Sequence, residues 1–172
     1  KVRLLVMGDT VQPAAGCLCP ENTLLAAVAN NLSLRGNEII LLDTQAGVEH
    51  FGRALARGFR HAVVITDPSF NGVQVALQSA RLAQELGIPT LHLVVNRVRS
   101  DREIDRVTQI LNCEDQPAFA TQHILPWDVR LLESEPDVGP LLGDASSPLL
   151  ASVVELRDAL LYEESLQCQH AS

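Results

Sequence analysis

The chain has 172 residues, of which 47% are hydrophobic and 20% are charged, and its formal net charge at pH 7 is -8. This composition predicts one globular domain spanning residues 1–172, with a core of aliphatic side chains because only 3% of residues are aromatic. The negative charge argues against a nucleic-acid surface. We also find no apolar run of membrane-spanning length and no secretory signal pattern, so we expect a cytoplasmic protein without a membrane span.

Short apolar runs alternate along the chain with apolar residues at helical spacing. Runs without polar alternation fit strands that are covered on both faces, and we predict strands at 2–7, 38–42, 61–66, 90–95 and 122–125. The helical spacing predicts four inward faces: Leu24, Leu25, Val28 and Leu32; Val73, Ala76, Leu77, Ala80 and Ala83; Ile104, Val107 and Leu111; Leu149, Val153, Leu156 and Leu160. A further short helix is predicted near 51–58. The alternation predicts an α/β fold with a mostly parallel sheet flanked by helices.

Capping signals mark several helix ends. Gly87, followed by a proline, ends the helix after the 61–66 strand. The segment 100–103 reads as a capping box, and 67–69 as a turn with an N-cap. We predict a loop over 133–147 and a final helix beginning at Ser147-Pro148.

Polar residues follow the apolar runs at the point where each predicted strand ends. In open α/β sheets ligands bind at the carboxyl ends of the strands, so these residues are the candidate site. Asp43 closes the 38–42 run and Gly47 follows it. An acid there suits a metal or a water near a phosphate, although capping of the following helix explains Asp43 equally well. Asn96, Pro126 and Trp127 end two later strands.

Two of the four cysteines, Cys17 and Cys19, are separated by one residue and precede a helix start at Pro20. The helix dipole lowers thiol pKa values and favours the metal-binding thiolate. Two thiolates make half of a tetrahedral soft-metal site, and a two-fold dimer would complete it. A pair of buried, unreactive cysteines is the alternative.

The stretch Leu-Leu-Asp-Thr-Gln-Ala-Gly-Val-Glu-His at 41–50 resembles the Walker B and switch II segment of the MinD/ParA-like deviant-Walker P-loop ATPases. More narrowly, the chain resembles the CooC-type carbon monoxide dehydrogenase maturation ATPases. Cys-x-Cys-Pro-Glu-Asn precedes that stretch, and Asp-Pro-Ser, Asn-Arg-Val and Leu-Pro-Trp-Asp follow it in the family order. The similarity extends from Val2 to about Glu135.

The sequence departs from that family in its phosphate-binding region. No Gly-x-x-x-x-Gly-Lys-Ser/Thr motif occurs, and Lys1 is the only lysine. The chain begins with Lys rather than Met, so we expect it to be the portion downstream of a P-loop, or else a relative that has lost it. Smaller departures are Gln45, where relatives carry an acid or Pro, and Arg97, where Lys is usual.

The resemblance implies a role for each candidate residue. Asp43 would order magnesium-bound water beside the phosphates of ATP or ADP, and Gly47 would place a backbone N–H against the terminal phosphate. Asn96 would bind the adenine edge, with Pro126 and Trp127 lining the base pocket.

Cys17 and Cys19 would bind nickel or zinc at a homodimer interface. The implied function is ATP-dependent insertion of nickel into a client metalloenzyme such as carbon monoxide dehydrogenase.

Two other functions remain open on the sequence. One is a metal-binding or partner-binding module without catalysis and with a vestigial nucleotide site. The other is a phosphorylated signalling receiver, with Asp43 as the acceptor and Thr66 as the switch. The second lacks the lysine usual after the corresponding strand, where Asn96-Arg97 stands instead.

Overall fold

The computed structural model describes residues 38–44, 59–113 and 116–170, with side chains up to residue 161. The chain divides into two compact units, Lys1–Phe59 and Arg60–Ser172. The predicted elements before residue 38 and over 51–58 lie outside the described residues.

The second unit alternates strands and helices. Its elements in chain order are β1 (His61–Thr66), α1 (Phe70–Glu85), β2 (Thr90–Val98), α2 (Asp101–Leu111), β3 (Thr121–Pro126), α3 (Val129–Ser134), α4 (Gly139–Leu142) and α5 (Pro148–His170). The three strands form a parallel sheet in the order β1-β2-β3. The predicted fold class, a parallel α/β sheet flanked by helices, is confirmed.

Helix α1 forms as its sequence predicts. Its five buried residues, Val73, Ala76, Leu77, Ala80 and Ala83, are the predicted inward face. The Ser69 side chain accepts a hydrogen bond from Gly72 N, and the Asp67 carboxylate accepts one from Ser69 N. This confirms the predicted turn and N-cap. Gly87 follows the helix with a φ of 85°, which only glycine adopts without strain.

The predicted capping box at α2 forms only in part. Ser100 is the N-cap residue, but its side chain makes no capping hydrogen bond. Glu103 instead accepts from the backbone N–H of Arg99, one residue further back, at 2.7 Å. The capping-box prediction was therefore right about the start of the helix and wrong about the hydrogen-bond partners.

Two other local predictions were wrong. Residues 38–42, predicted as a buried strand, have no regular secondary structure, and Leu41 is 88% exposed. Apolar composition favours burial, but a strand also needs a neighbour to share its backbone hydrogen bonds, and no described strand pairs with this run. Val153, predicted to face inward, is 41% exposed on α5.

The segment 133–147, predicted as a loop, contains the end of α3 and all of α4. The predicted start of the last helix is confirmed, because α5 begins at Pro148 and the buried Ser147 hydroxyl accepts from Leu150 N. Among the described residues, no helix combines the length and apolar character needed to cross a membrane.

Candidate functional site

A β-bulge shapes the carboxyl edge of the sheet. Val95 pairs with Ile124 and Val98 pairs with Pro126, so two residues of β2 lie opposite one residue of β3. These two residues are Asn96 and Arg97, and Arg97 has a φ of 62°. The left-handed conformation is uncommon for a residue with a side chain, and such strained residues cluster at functional sites. The bulge thus redirects two polar side chains where β2 ends.

The bulge residues border a groove of about 140 Å³, which we call the base groove. The three residues predicted to contact adenine, Asn96, Pro126 and Trp127, all line it. The remaining wall comes from Arg97 and from the segment after β3: Asp128, Leu131, Leu132, Glu135 and Val138. The aromatic ring, the aliphatic side chains and the amide suit a planar ring system such as a nucleobase, and three charged residues complete the wall.

Two contacts hold the aromatic wall in position. The backbone N–H of Trp127 donates to the carbonyl of Val98 at 2.8 Å, which ties the residue after β3 to the end of β2. The Arg99 guanidinium lies 4.5 Å from the centre of the Trp127 ring, as a cation–π contact. Such a contact contributes about 0.5–1 kcal/mol at an exposed site. Val98 at the end of β2 therefore holds the Trp127 backbone, and Arg99, the next residue along the chain, contacts its ring.

A network of charged side chains fixes the segment that follows Trp127 in the chain. The side chain of Asp128, the N-cap of α3, accepts from Arg130 N at 3.0 Å and from the Arg130 guanidinium at 2.6 Å. The same guanidinium donates to Asp144 at 2.6 Å. Hydrogen bonds from Arg130 lower the pKa of Asp128, while the Ser146 hydroxyl and amide, and then Arg130, lower the pKa of Asp144. Both carboxylates are therefore held ionised.

The other predicted site residues belong to the first unit, Lys1–Phe59. Asp43 belongs to the first unit, where it is exposed and has no regular secondary structure. Gly47, Cys17 and Cys19 lie outside the described residues. Within the part of the chain that is described, no three His, Cys, Asp or Glu side chains cluster in a way that would hold a metal ion. The predicted magnesium, nickel and zinc roles therefore stay predictions.

Sequence reasoning missed a row of histidines across the three strands. His61 Nδ1 lies 3.0 Å from His92 Nε2, and His92 Nδ1 lies 2.7 Å from the Thr121 hydroxyl. His123 Nε2 contacts the same hydroxyl at 2.9 Å. His92 is fully buried. Only the strand register brings these residues together, because His61 stands opposite Thr90 and His92 stands opposite Thr121.

Comparison with known proteins agrees with the resemblance seen in the motifs. No protein-family model matches the chain. The carbon monoxide dehydrogenase accessory protein CooC of Rhodospirillum rubrum is 29% identical over 160 residues, covering 90% of this chain and 59% of that protein. Two uncharacterized ATP-binding proteins of Methanocaldococcus jannaschii are also similar. One is 32% identical over 137 residues, which is 78% of this chain and 51% of that protein.

The second of these proteins is 30% identical over 111 residues, covering 64% of this chain and 44% of its own length. The chain thus spans about half the length of the curated relatives that it matches.

Proposed function

Because the chain is a relative of the CooC-type ATPases, we propose that it is part of a nucleotide-dependent maturation ATPase that delivers nickel to a client metalloenzyme in the cytoplasm. The observation that carries the proposal is the base groove: three residues chosen from the family resemblance line one cavity at the carboxyl edge of a parallel sheet. Brought together by two strands, they form a surface suited to a nucleobase.

The Asn96 side chain has a defined orientation in this groove. Its Oδ1 accepts a hydrogen bond from the Arg97 backbone N–H at 2.9 Å. The amide NH₂ is therefore the donor end that remains for a ligand. A purine ring presents acceptor nitrogens along its edge, so Asn96 would donate to one of them while Trp127 packs against the ring. The bulge thus serves to present an amide donor to the base.

The rest of the proposed activity depends on residues beyond this groove. When bound, magnesium and the triphosphate would supply the hydrolysis chemistry, with Asp43 ordering magnesium-bound water beside the phosphates and Gly47 placing its backbone N–H against the terminal phosphate. Cys17 and Cys19 would bind the nickel or zinc cargo as thiolates at a homodimer interface. The resemblance and the residue types support these roles.

Adenosine is the sharpest probe of the base groove, because it lacks phosphates and so does not depend on a phosphate-binding loop. Trp127 is the only tryptophan in the chain, so intrinsic fluorescence reports directly on the groove. We expect adenosine to change this signal with a saturable dependence on concentration. The Asn96→Asp variant keeps the acceptor for Arg97 N but loses the amide donor, and should weaken binding about tenfold or more.

The matched control is Asn71→Asp, the same chemical change at an exposed position of α1. It should leave adenosine affinity unchanged. If the unmodified chain fails to bind adenosine, or if both variants weaken binding equally, the nucleotide proposal is wrong. A metal-binding module with a vestigial nucleotide site would then describe the chain better.

A further inference from the structure

A second groove, which also borders Trp127, lies at the same edge of the sheet and has a volume of about 340 Å³. Three arginines line it: Arg97, Arg99 and Arg106. We call it the arginine groove. The chain has 13 basic and 21 acidic residues, so three guanidinium groups around one cavity are a local reversal of its overall charge.

The two carboxylates that line the arginine groove, Asp67 and Glu103, offset only part of its positive charge. Hydrogen bonds from Ser69, and then the charge of Arg97, lower the pKa of Asp67. Asp67 accepts from Ser69 N at 2.9 Å, and Glu103 accepts from Arg99 N at 2.7 Å, so both carboxylates already bind backbone amides. In the described part of the chain, no carboxylate lies within ion-pair distance of the guanidinium group of Arg97, Arg99 or Arg106. Three positive and two negative charges leave this groove positive.

One of the three arginines is already oriented. The Arg99 guanidinium lies over Trp127, with 4.5 Å between its central carbon and the ring centroid. A guanidinium that stacks through its face keeps the N–H donors of its edge available for a ligand. Arg97 is directed by the bulge, and Arg106 lies on the exposed face of α2. The amino-terminal turns of α1 and α2 adjoin the groove and add positive potential.

We propose that the arginine groove binds a phosphate-type oxyanion, either free or as the terminal group of a small metabolite. Guanidinium groups match phosphate oxygens in charge and geometry, and a tetrahedral oxyanion has enough acceptor oxygens to contact three arginines at once. The arginine groove shares Arg97 and Trp127 with the base groove, whereas Arg99 and Arg106 line the arginine groove alone. The proposal does not depend on the function proposed above.

The test is a titration of the full chain with inorganic phosphate at constant ionic strength, read by calorimetry and by Trp127 fluorescence. Binding should saturate, and Arg106→Gln should weaken it about tenfold or more, the loss expected for a charge-assisted hydrogen bond. The control is Arg102→Gln, the same change at an exposed position of α2 outside the groove, which should leave the affinity within about twofold.

Three further measurements make the outcome decisive. Glycerol phosphate in place of inorganic phosphate shows whether the ligand is a phosphomonoester or the free ion, and the tighter binder identifies the source. Saturating adenosine should leave phosphate affinity unchanged. The Arg99→Gln variant should weaken phosphate binding and also alter the fluorescence of the unliganded chain, because it loses the contact with Trp127.

The proposal is overturned by any of three results. Phosphate binding that never saturates, or that the two glutamine variants at 102 and 106 reduce equally, would indicate only diffuse electrostatic attraction. Competition between adenosine and phosphate would show that the arginines belong to the base groove. Circular dichroism of each variant confirms that the compared proteins are folded.

Discussion

The fully buried His92 is the residue whose removal should most clearly destabilise the second unit. Its two ring nitrogens contact His61 and Thr121, so it links all three strands. In His92→Ala, Thr121 keeps its contact with His123, but His61 Nδ1 loses its partner. Stranding a buried polar atom costs about 1–3 kcal/mol. The void left by the ring adds about 1–3 kcal/mol, below the range seen for larger aromatic rings.

The expected loss in the free energy of unfolding is therefore about 2–6 kcal/mol. Denaturant unfolding followed by Trp127 fluorescence measures it, because the single tryptophan belongs to the same unit. The control is His123→Ala, which removes one contact from a hydroxyl that His92 still contacts, and should cost below about 1 kcal/mol. The slope of the unfolding free energy against denaturant should stay constant.

If His123→Ala destabilised the chain as much as His92→Ala, or if neither variant shifted the midpoint, the row of histidines would not be a structural link between the strands. The reasoning from burial and hydrogen bonding would then fail for this sheet.

Three shorter predictions concern the helix caps, the charged network and the cysteines. Ser69→Ala should cost about 1 kcal/mol in thermal unfolding, whereas the same change at the N-cap of α2 should cost nothing measurable, because only the first serine makes a capping hydrogen bond. Hydrogen bonds from Arg130 lower the pKa of Asp128, so their contribution to stability is present above about pH 4 and is lost as pH falls. In Arg130→Gln, stability measured from about pH 6 down to about pH 3 should therefore fall less steeply. Replacing Cys17 and Cys19 together by serine should abolish nickel and zinc uptake, whereas replacing Cys113 and Cys168 should not. Equal metal uptake by these two double variants would contradict the metal-binding role of Cys17 and Cys19.

The sequence predicted those features that depend on neighbours along the chain. The buried face of α1 follows from helical periodicity alone, and all five of its residues were identified. The base groove could be anticipated because parallel strands bring their carboxyl ends to one edge, which unites Asn96 with Trp127. Neither prediction needed the detailed register.

The features that were missed depend on register and on packing between elements. Nothing local to Asn96 and Arg97 indicates that they oppose a single residue of β3, so the bulge was not predicted. The contact between His61 and His92 joins residues 31 positions apart and needs the strand pairing to be known. The run at 38–42 failed for a related reason, since its composition favoured a strand but could not supply a pairing partner.

The conformation of Arg97 gives a way to separate stability from function at the bulge. A residue with a side chain at a φ of 62° costs about 1–2 kcal/mol relative to glycine. Arg97→Gly and Arg97→Ala both remove the guanidinium, but only the glycine variant relieves the backbone. We therefore expect Arg97→Gly to be more stable than Arg97→Ala by about 1 kcal/mol in denaturant unfolding.

Both variants should lose phosphate affinity to a similar extent, because the side chain is absent from each. Position 97 would then be one where glycine gives a more stable protein than alanine. An arginine at such a position is expected if a ligand needs its guanidinium, because function then outweighs the cost in stability. Equal stability of the two variants would show that the bulge relaxes when the side chain is removed. In that case the left-handed backbone would follow from the arginine itself, and would not be imposed by the pairing of β2 with β3.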